Sequence, residues 1–187
     1  PLVVFACTVF LLQFANAAML PLMAGIVTER SSEGAPALIA LCIIVPQAIV
    51  ALISPSVGRK AQAWGRRPLL MIAFAALAVR GALFATVNDP SLLVAVQVLD
   101  GITAAVFGVM IPLIVADVAF GSGHFNLAQG VIGTATGIGA SLSTVVAGTM
   151  SDHFGHGFAF MGLAAAALSG LLVVLTFMPE TRLAEES

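Results

Sequence analysis

The chain has 187 residues, of which 60% are apolar and 9% charged, and its mean hydropathy is +1.10. Soluble domains carry about a quarter charged residues, and a water-soluble fold could not cover itself with so few, which excludes the soluble classes and leaves a polytopic membrane protein. The net charge of −2 says little, because membranes sort Lys and Arg by position and not by sum.

Six runs are long enough to cross about 30 Å of hydrocarbon, and runs of this length are helices, since barrel strands are about ten residues and alternate. The first, Leu2 to Val27, carries Cys7 and places Gln13 and Asn16 three apart on one helix face, ahead of a kink expected at Pro21. After the polar break "TERSSEGAP" the second, Pro36 to Val57, holds Cys42, Pro46 and Gln47. Both thiols sit within apolar runs and read as packing groups. The segment "SVGRKAQAWGRRPLLM" then places Arg59, Lys60, Arg66 and Arg67 within nine residues. The third run, Pro68 to Val87, contains Arg80; the turn "NDPS" leads to the fourth, Ser91 to Val118, with Gln97 and Asp100 again three apart.

"FGSGHFN" separates these from the fifth run, Asn126 to Thr149, where Gly130, Gly133, Gly137, Gly139 and Gly148 alternate with Ser and Thr. Small residues four apart, such as Gly133 and Gly137, are expected to let helices approach closely. No Lys follows these glycines, so a phosphate-binding loop is not indicated, and no cofactor is expected. "SDHFGHG" places His153 and His156 three apart beside Asp152, a pattern that reads as a solvated turn more readily than as a metal site. The sixth run is Phe158 to Met178. Short connections imply antiparallel neighbours. Pro1 is not an initiator Met, and the chain reads as a piece of something longer.

Six spans put both termini on one side, together with Arg59, Lys60, Arg66, Arg67 and Arg182, against Arg30 on the other. The positive-inside rule then places both termini and the basic segment in the cytoplasm. Anchoring topology and touching anionic lipid headgroups would suffice to explain this cluster, and its position between two spans argues against nucleic acid. The sequence also echoes itself. "MLPLM" at Met19 returns as "MIPLI" at Met110, displaced by 91, and the spacing Gly58, Gln62, Gly65 returns as Gly148, Asp152, Gly155, displaced by 90. These echoes predict two three-helix units, 1–90 and 91–187, the second carrying a short cytoplasmic tail. Because three is odd, the second unit enters from the opposite side, which makes an inverted repeat of the kind secondary transporters use.

"GRKAQAWGRRP" resembles the signature loop of the major facilitator superfamily, Gly-x-x-x-Asp-(Arg/Lys)-x-Gly-(Arg/Lys)-(Arg/Lys). Gly58, Gly65, Arg66 and Arg67 match; Gln62 stands where the family has Asp, and Ala63 where it has Arg or Lys. The likeness extends over the whole chain, through "QVLDG" in the fourth run and the ending "MPETR", similar to that of sugar-porter-like members. It implies an all-α membrane fold of six helices, the C-terminal half of a twelve-helix transporter, whose first and fourth helices line a central cavity. That makes Gln13, Asn16, Gln97 and Asp100, with Gln47 after them, the expected substrate contacts. It also implies a signature loop of Gly58, Arg59, Lys60, Gly65, Arg66 and Arg67 that latches the two halves, a role that Gln62 weakens because it lacks the charge.

The function expected is secondary active transport of a small solute by alternating access, as proton-coupled efflux across the inner membrane. The partners are the lipid bilayer, the solute, protons and an N-terminal six-helix half. A half-size homodimer and sugar or metabolite uptake are the alternatives. An intramembrane enzyme would need a nucleophile with a base, paired carboxylates or metal ligands at membrane depth; apart from the cysteines, Arg80 and Asp100 are the ionisable groups there. Arg80 lies about 10 Å and Asp100 about 15 Å from the outer end of their spans at 1.5 Å per residue. A charge at the centre of a helix costs roughly 2.5–3.5 kcal/mol, so the two are expected to pair.

Overall fold

The structure, a computed structural model, describes residues 2–30, 34–87, 89–121 and 123–180. Pro1, residues 31–33, Asn88, Ser122 and the tail that contains Arg182 lie outside the described residues, as do the side chains of Arg30 and Pro90. Seven helices follow one another: α1 Leu2–Asn16, α2 Met19–Arg30, α3 Ala35–Trp64, α4 Arg66–Thr86, α5 Pro90–Ala119, α6 Phe125–Phe154 and α7 His156–Phe177. There is no strand among the described residues. Six stretches are long and apolar enough to cross a membrane, α1 and α2 counting as one broken span from Leu2 to Glu29.

The break in the first span falls at Ala17 and Ala18, four and three residues before Pro21. A proline ring collides with the carbonyl four residues earlier and offers that carbonyl no donor, which places the disruption at Ala17. A donor at the same break is satisfied from outside: Ser143 Oγ of α6 accepts from the backbone N–H of Ala18 at 3.1 Å. The second copy of the motif behaves differently, since α5 runs unbroken through Pro112.

The helix ends correct the expected boundaries. α3 passes Val57 and continues to Trp64, and α6 passes Thr149 and continues to Phe154, because hydropathy marks the part of a helix that meets hydrocarbon and not its end. Each stops at a glycine that no L-residue could comfortably replace. Gly65 has φ 92° and ψ 178°, and Gly155 has φ 87° and ψ 161°, a region open essentially to Gly alone. The expected basic loop is therefore two helices joined by one residue. Gly58, Arg59 and Lys60 lie on α3, and Arg66 and Arg67 open α4. α5 begins with Asp89, whose side chain accepts from Ser91 N at 2.8 Å, followed by Pro90 in the first turn.

The most extensive packing joins helices that are not consecutive: α3 with α5, α4 with α7, and α1 with α6. In each pair a small residue brings the backbones together, which is how helices gain van der Waals contact where the surroundings are as apolar as they are. A Cβ on Gly101 of α5 would stand 3.0 Å from Pro46 O of α3, one on Gly81 of α4 would stand 3.0 Å from Ala164 Cβ of α7, and one on Gly139 of α6 would stand 2.6 Å from Phe10 O of α1. The pair Gly133 and Gly137 makes no such contact; both are exposed, with nothing within 4 Å of an added Cβ. α4 forms the centre, burying Leu69, Leu70, Ala73, Phe74, Leu77 and Phe84 against α5 and α7.

Candidate functional site

Two charged clusters lie along one helix. The basic residues between α3 and α4 separate into two kinds: Arg59 and Lys60 are exposed, whereas Arg66 is 3% exposed and Arg67 is half-buried. Arg66 Nε lies 3.1 Å from Asp117 Oδ2 of α5, and Arg66 Nη1 donates to Ala61 O at 2.8 Å near the end of α3. Arg67 Nη2 donates to Leu175 O in the last turn of α7, where carbonyls have no partner within their own helix.

The first N–H groups of α4 receive a carboxylate. Glu180 Oε1 accepts from Arg66 N at 2.8 Å, and Oε2 accepts from Arg67 N at 3.2 Å. An anion bound to two orphan donors at the positive end of a helix dipole is a favourable cap. A Cβ on Gly65 would collide with this carboxylate, so the turn needs glycine for both its torsion and its space. Neither Asp117 nor Glu180 stood out in the sequence, because each lies at the end of a span, where a charge is ordinary. The signal that could have found them is a signature turn with Gln62 in place of its acid: Arg66 requires a carboxylate from elsewhere.

The second cluster lies fourteen residues on, about four turns along the same face of α4. Arg80 is 1% exposed. Its Nη1 lies 2.7 Å from Asp100 Oδ1 and donates to Asn16 Oδ1 at 2.6 Å, and its Nε donates to Gln97 Oε1 at 3.1 Å. Gln97 completes a bridge. Pro46 has no N–H to offer Cys42 O, and Gln97 Nε2 donates to that carbonyl at 3.1 Å. α1, α3, α4 and α5 thus meet through one guanidinium and one amide.

Asn16, Gln97, Asp100 and Arg80 are therefore brought together, and the other candidates are not. Gln97, expected among substrate contacts, is fully buried, its amide oxygen held by Arg80 and one amide N–H by Cys42 O. The Asp100 side chain is 21% exposed, the open edge of the cluster. Gln13 is half-buried one turn before Asn16, beside Gly139, and Gln47 is exposed on α3. His156 is the first residue of α7, with Nδ1 2.6 Å from Ser151 Oγ and Nε2 3.8 Å from Glu29 Oε2, while His153 Nδ1 lies 2.9 Å from Thr149 O. Among the described residues no group of three His, Cys, Asp or Glu is placed to hold a metal.

Comparison with known proteins follows the same lines. The family model described as Major Facilitator Superfamily matches residues 5–187. Two curated relatives from Mycobacterium tuberculosis, in strains CDC 1551 and H37Rv, are each named an uncharacterized MFS-type transporter. Each is 44% identical over 180 residues, covering 96% of this chain and 43% of the relative. The chain thus spans less than half the length of the curated relatives it matches. No solved structure gives a significant match.

Proposed function

The chain belongs to the major facilitator superfamily, and from that premise we propose that it forms one half of a secondary active transporter that moves a small solute by alternating access. The solute cavity lies between this half and a second six-helix half. The broadly exposed apolar faces of α3 and α6, with Leu41, Ile44 and Leu52 on one and Ile138, Leu142 and Val145 on the other, support a partner there. Two units, 1–90 and 91–187, relate by inversion. Exchanging each of the first three spans with its counterpart among the last three maps the contact of α1 with α6 onto that of α5 with α3. It leaves the contact of α4 with α7 in place, and it carries Gly65 onto Gly155.

Transport is coupled to protons and directed outward across the inner membrane, with both termini of this chain in the cytoplasm. The observation that carries coupling is the Arg80 cluster. Asp100 is the carboxyl partner of Arg80 at span depth with one edge open, so a proton or a cationic solute can compete with Arg80 for it. Asn16 and Gln13 line the same path, and Gln97 holds Arg80 in place. Nothing in this cycle requires a covalent step.

The test begins with the full-length protein in a sensitised strain exposed to a panel of toxic compounds, where resistance identifies a substrate. That substrate is then followed in proteoliposomes under an imposed pH gradient. Asp100→Asn should abolish gradient-driven movement while downhill exchange continues. Gradient-driven movement by Asp100→Asn would overturn the coupling role, and uptake in place of export would overturn the direction.

A further inference from the structure

Where α3 passes the start of α4 and the body of α5, the three helices leave a groove of about 320 Å³, near the lower end of the roughly 300–1,000 Å³ of pockets that hold small ligands. Its interior is aliphatic: Val57, Leu69 and Val106 are each at most 6% exposed, and Ile72, 45% exposed, stands at its opening. No acidic side chain is among the described residues that line it.

One end of this groove is cationic, and two contacts fix it so. Lys60 Nζ stands 4.7 Å from the centroid of the Trp64 ring, so the ammonium is held over an indole that lines the groove. Arg59 Nη2 donates to Ser56 Oγ at 2.9 Å, which turns the neighbouring guanidinium toward another lining residue. Trp64 is 54% exposed, as suits an amphipathic ring at the edge of the hydrocarbon. At 100° per residue, the groove side of α3 lies roughly 130° around the helix from Leu41, Ile44 and Leu52. The groove is therefore not part of the face assigned above to the second half; Arg59 starts in line with Leu41, and its bond to Ser56 Oγ turns the guanidinium toward the groove.

An aliphatic slot with two fixed cations at its mouth is complementary to an amphiphile with an anionic head. A free phosphate would leave the slot empty, and a zwitterionic head would bring its own cation against Lys60 and Arg59. We propose that this groove seats one anionic phospholipid, with its phosphate between Arg59 and Lys60 and the beginning of an acyl chain along Val57, Leu69 and Val106. The lipid bridges the three helices that carry Cys42 O, Arg80, Gln97 and Asp100. The proposal needs the chain to lie in a membrane and does not depend on what it transports.

Native mass spectrometry of the purified full-length protein, incubated with phosphatidylglycerol or phosphatidylcholine of matched acyl chains, tests it. At about fivefold for each basic residue, phosphatidylglycerol should be retained roughly thirtyfold more tightly. Replacing both cations, Arg59→Gln with Lys60→Gln, should bring it to the level of phosphatidylcholine. Ile72→Trp, a change at an exposed position, should displace the lipid although both cations remain. Equal retention of the two lipids by the parent protein would overturn the proposal. So would unchanged retention by Ile72→Trp, which would mean attraction by charge without a seat, and so would competition by glycerol phosphate as effective as that by the intact lipid.

Discussion

Arg66 and Arg80 make the same choice of partner in different surroundings. Both project from α4, both are almost wholly buried, and both pair with an aspartate of α5, Asp117 and Asp100. Around Arg66 the remaining contacts involve backbone: Ala61 O accepts from its side chain, and its own N–H is capped by Glu180. Around Arg80 the hydrogen-bond partners among the described residues are all side chains, from α1 and α5, and the Phe84 ring of α4 lies 5.2 Å from the guanidinium. A cluster tied to backbone cannot rearrange without moving a helix end. A cluster of side chains can exchange partners by rotamer changes alone, while the helices stay packed. The end of the bundle is thus tied to helix ends, whereas the interior cluster is held by side chains, as the partner exchange proposed for Asp100 requires, and the aspartate exposures of 12% and 21% run the same way.

The largest expected effect separates the two aspartates. Asp100→Ala leaves Arg80 buried without its carboxylate, and breaking a buried pair from one side costs about 3–5 kcal/mol. Asp117→Ala leaves Arg66 at the end of the bundle with its bond to the Ala61 carbonyl, and should cost about 1–2 kcal/mol. Thermal unfolding of the full-length protein in detergent measures both, and equal losses would break the comparison. The exchange Arg80→Asp with Asp100→Arg sharpens it: folding should return, because the pair is restored, while ion-coupled transport should not. Recovery of coupled transport would show that Asp100 acts only as a clamp.

Next come the two turns. Gly65→Ala and Gly155→Ala both force an L-residue into a region that costs about 1–3 kcal/mol. At Gly155 the torsion is the whole penalty, since an added Cβ meets nothing within 4 Å, whereas at Gly65 it also displaces the Glu180 carboxylate. Gly65→Ala should therefore be the more destabilising by about 1 kcal/mol, the loss of a cap. Identical losses at the two glycines would mean that Glu180 contributes nothing at that turn.

What the sequence disclosed follows the reach of each signal. The six spans were legible because apolar runs of this length have one structural outcome in a membrane, and Arg80 and Asp100 were legible as partners because charges are rare at that depth. The pairing of α3 with α5 and of α1 with α6 was not, since connection length reports the next helix along the chain and the close contacts arise from single glycines whose neighbours are distant in sequence. The bridge that Gln97 makes was not legible for a related reason. The spacing of Gln97 from Asp100 puts both on one face, but the orphan carbonyl at Cys42 that claims its amide exists only because Pro46 lies on another helix. Glu180 is legible only as part of a family-like ending and its physical task is not, because an anion's position at a helix N-terminus more than a hundred residues away leaves no periodic trace.

Glu180 also gives the smallest and most discriminating test. Glu180→Gln keeps an oxygen that can accept from Arg66 N or Arg67 N but removes the charge, so the expected loss is the charge–dipole part of the cap, about 0.3–1 kcal/mol. Being electrostatic and exposed, that part should shrink as salt is raised toward 1 M, where the screening length falls to about 3 Å. Asp100→Asn makes the same change of charge where screening by salt is much weaker, so its cost should persist at high salt. A salt-insensitive loss at Glu180 would place its carboxylate in the same class as Asp100, and the division of α4 into a fastened end and a switchable interior would fail.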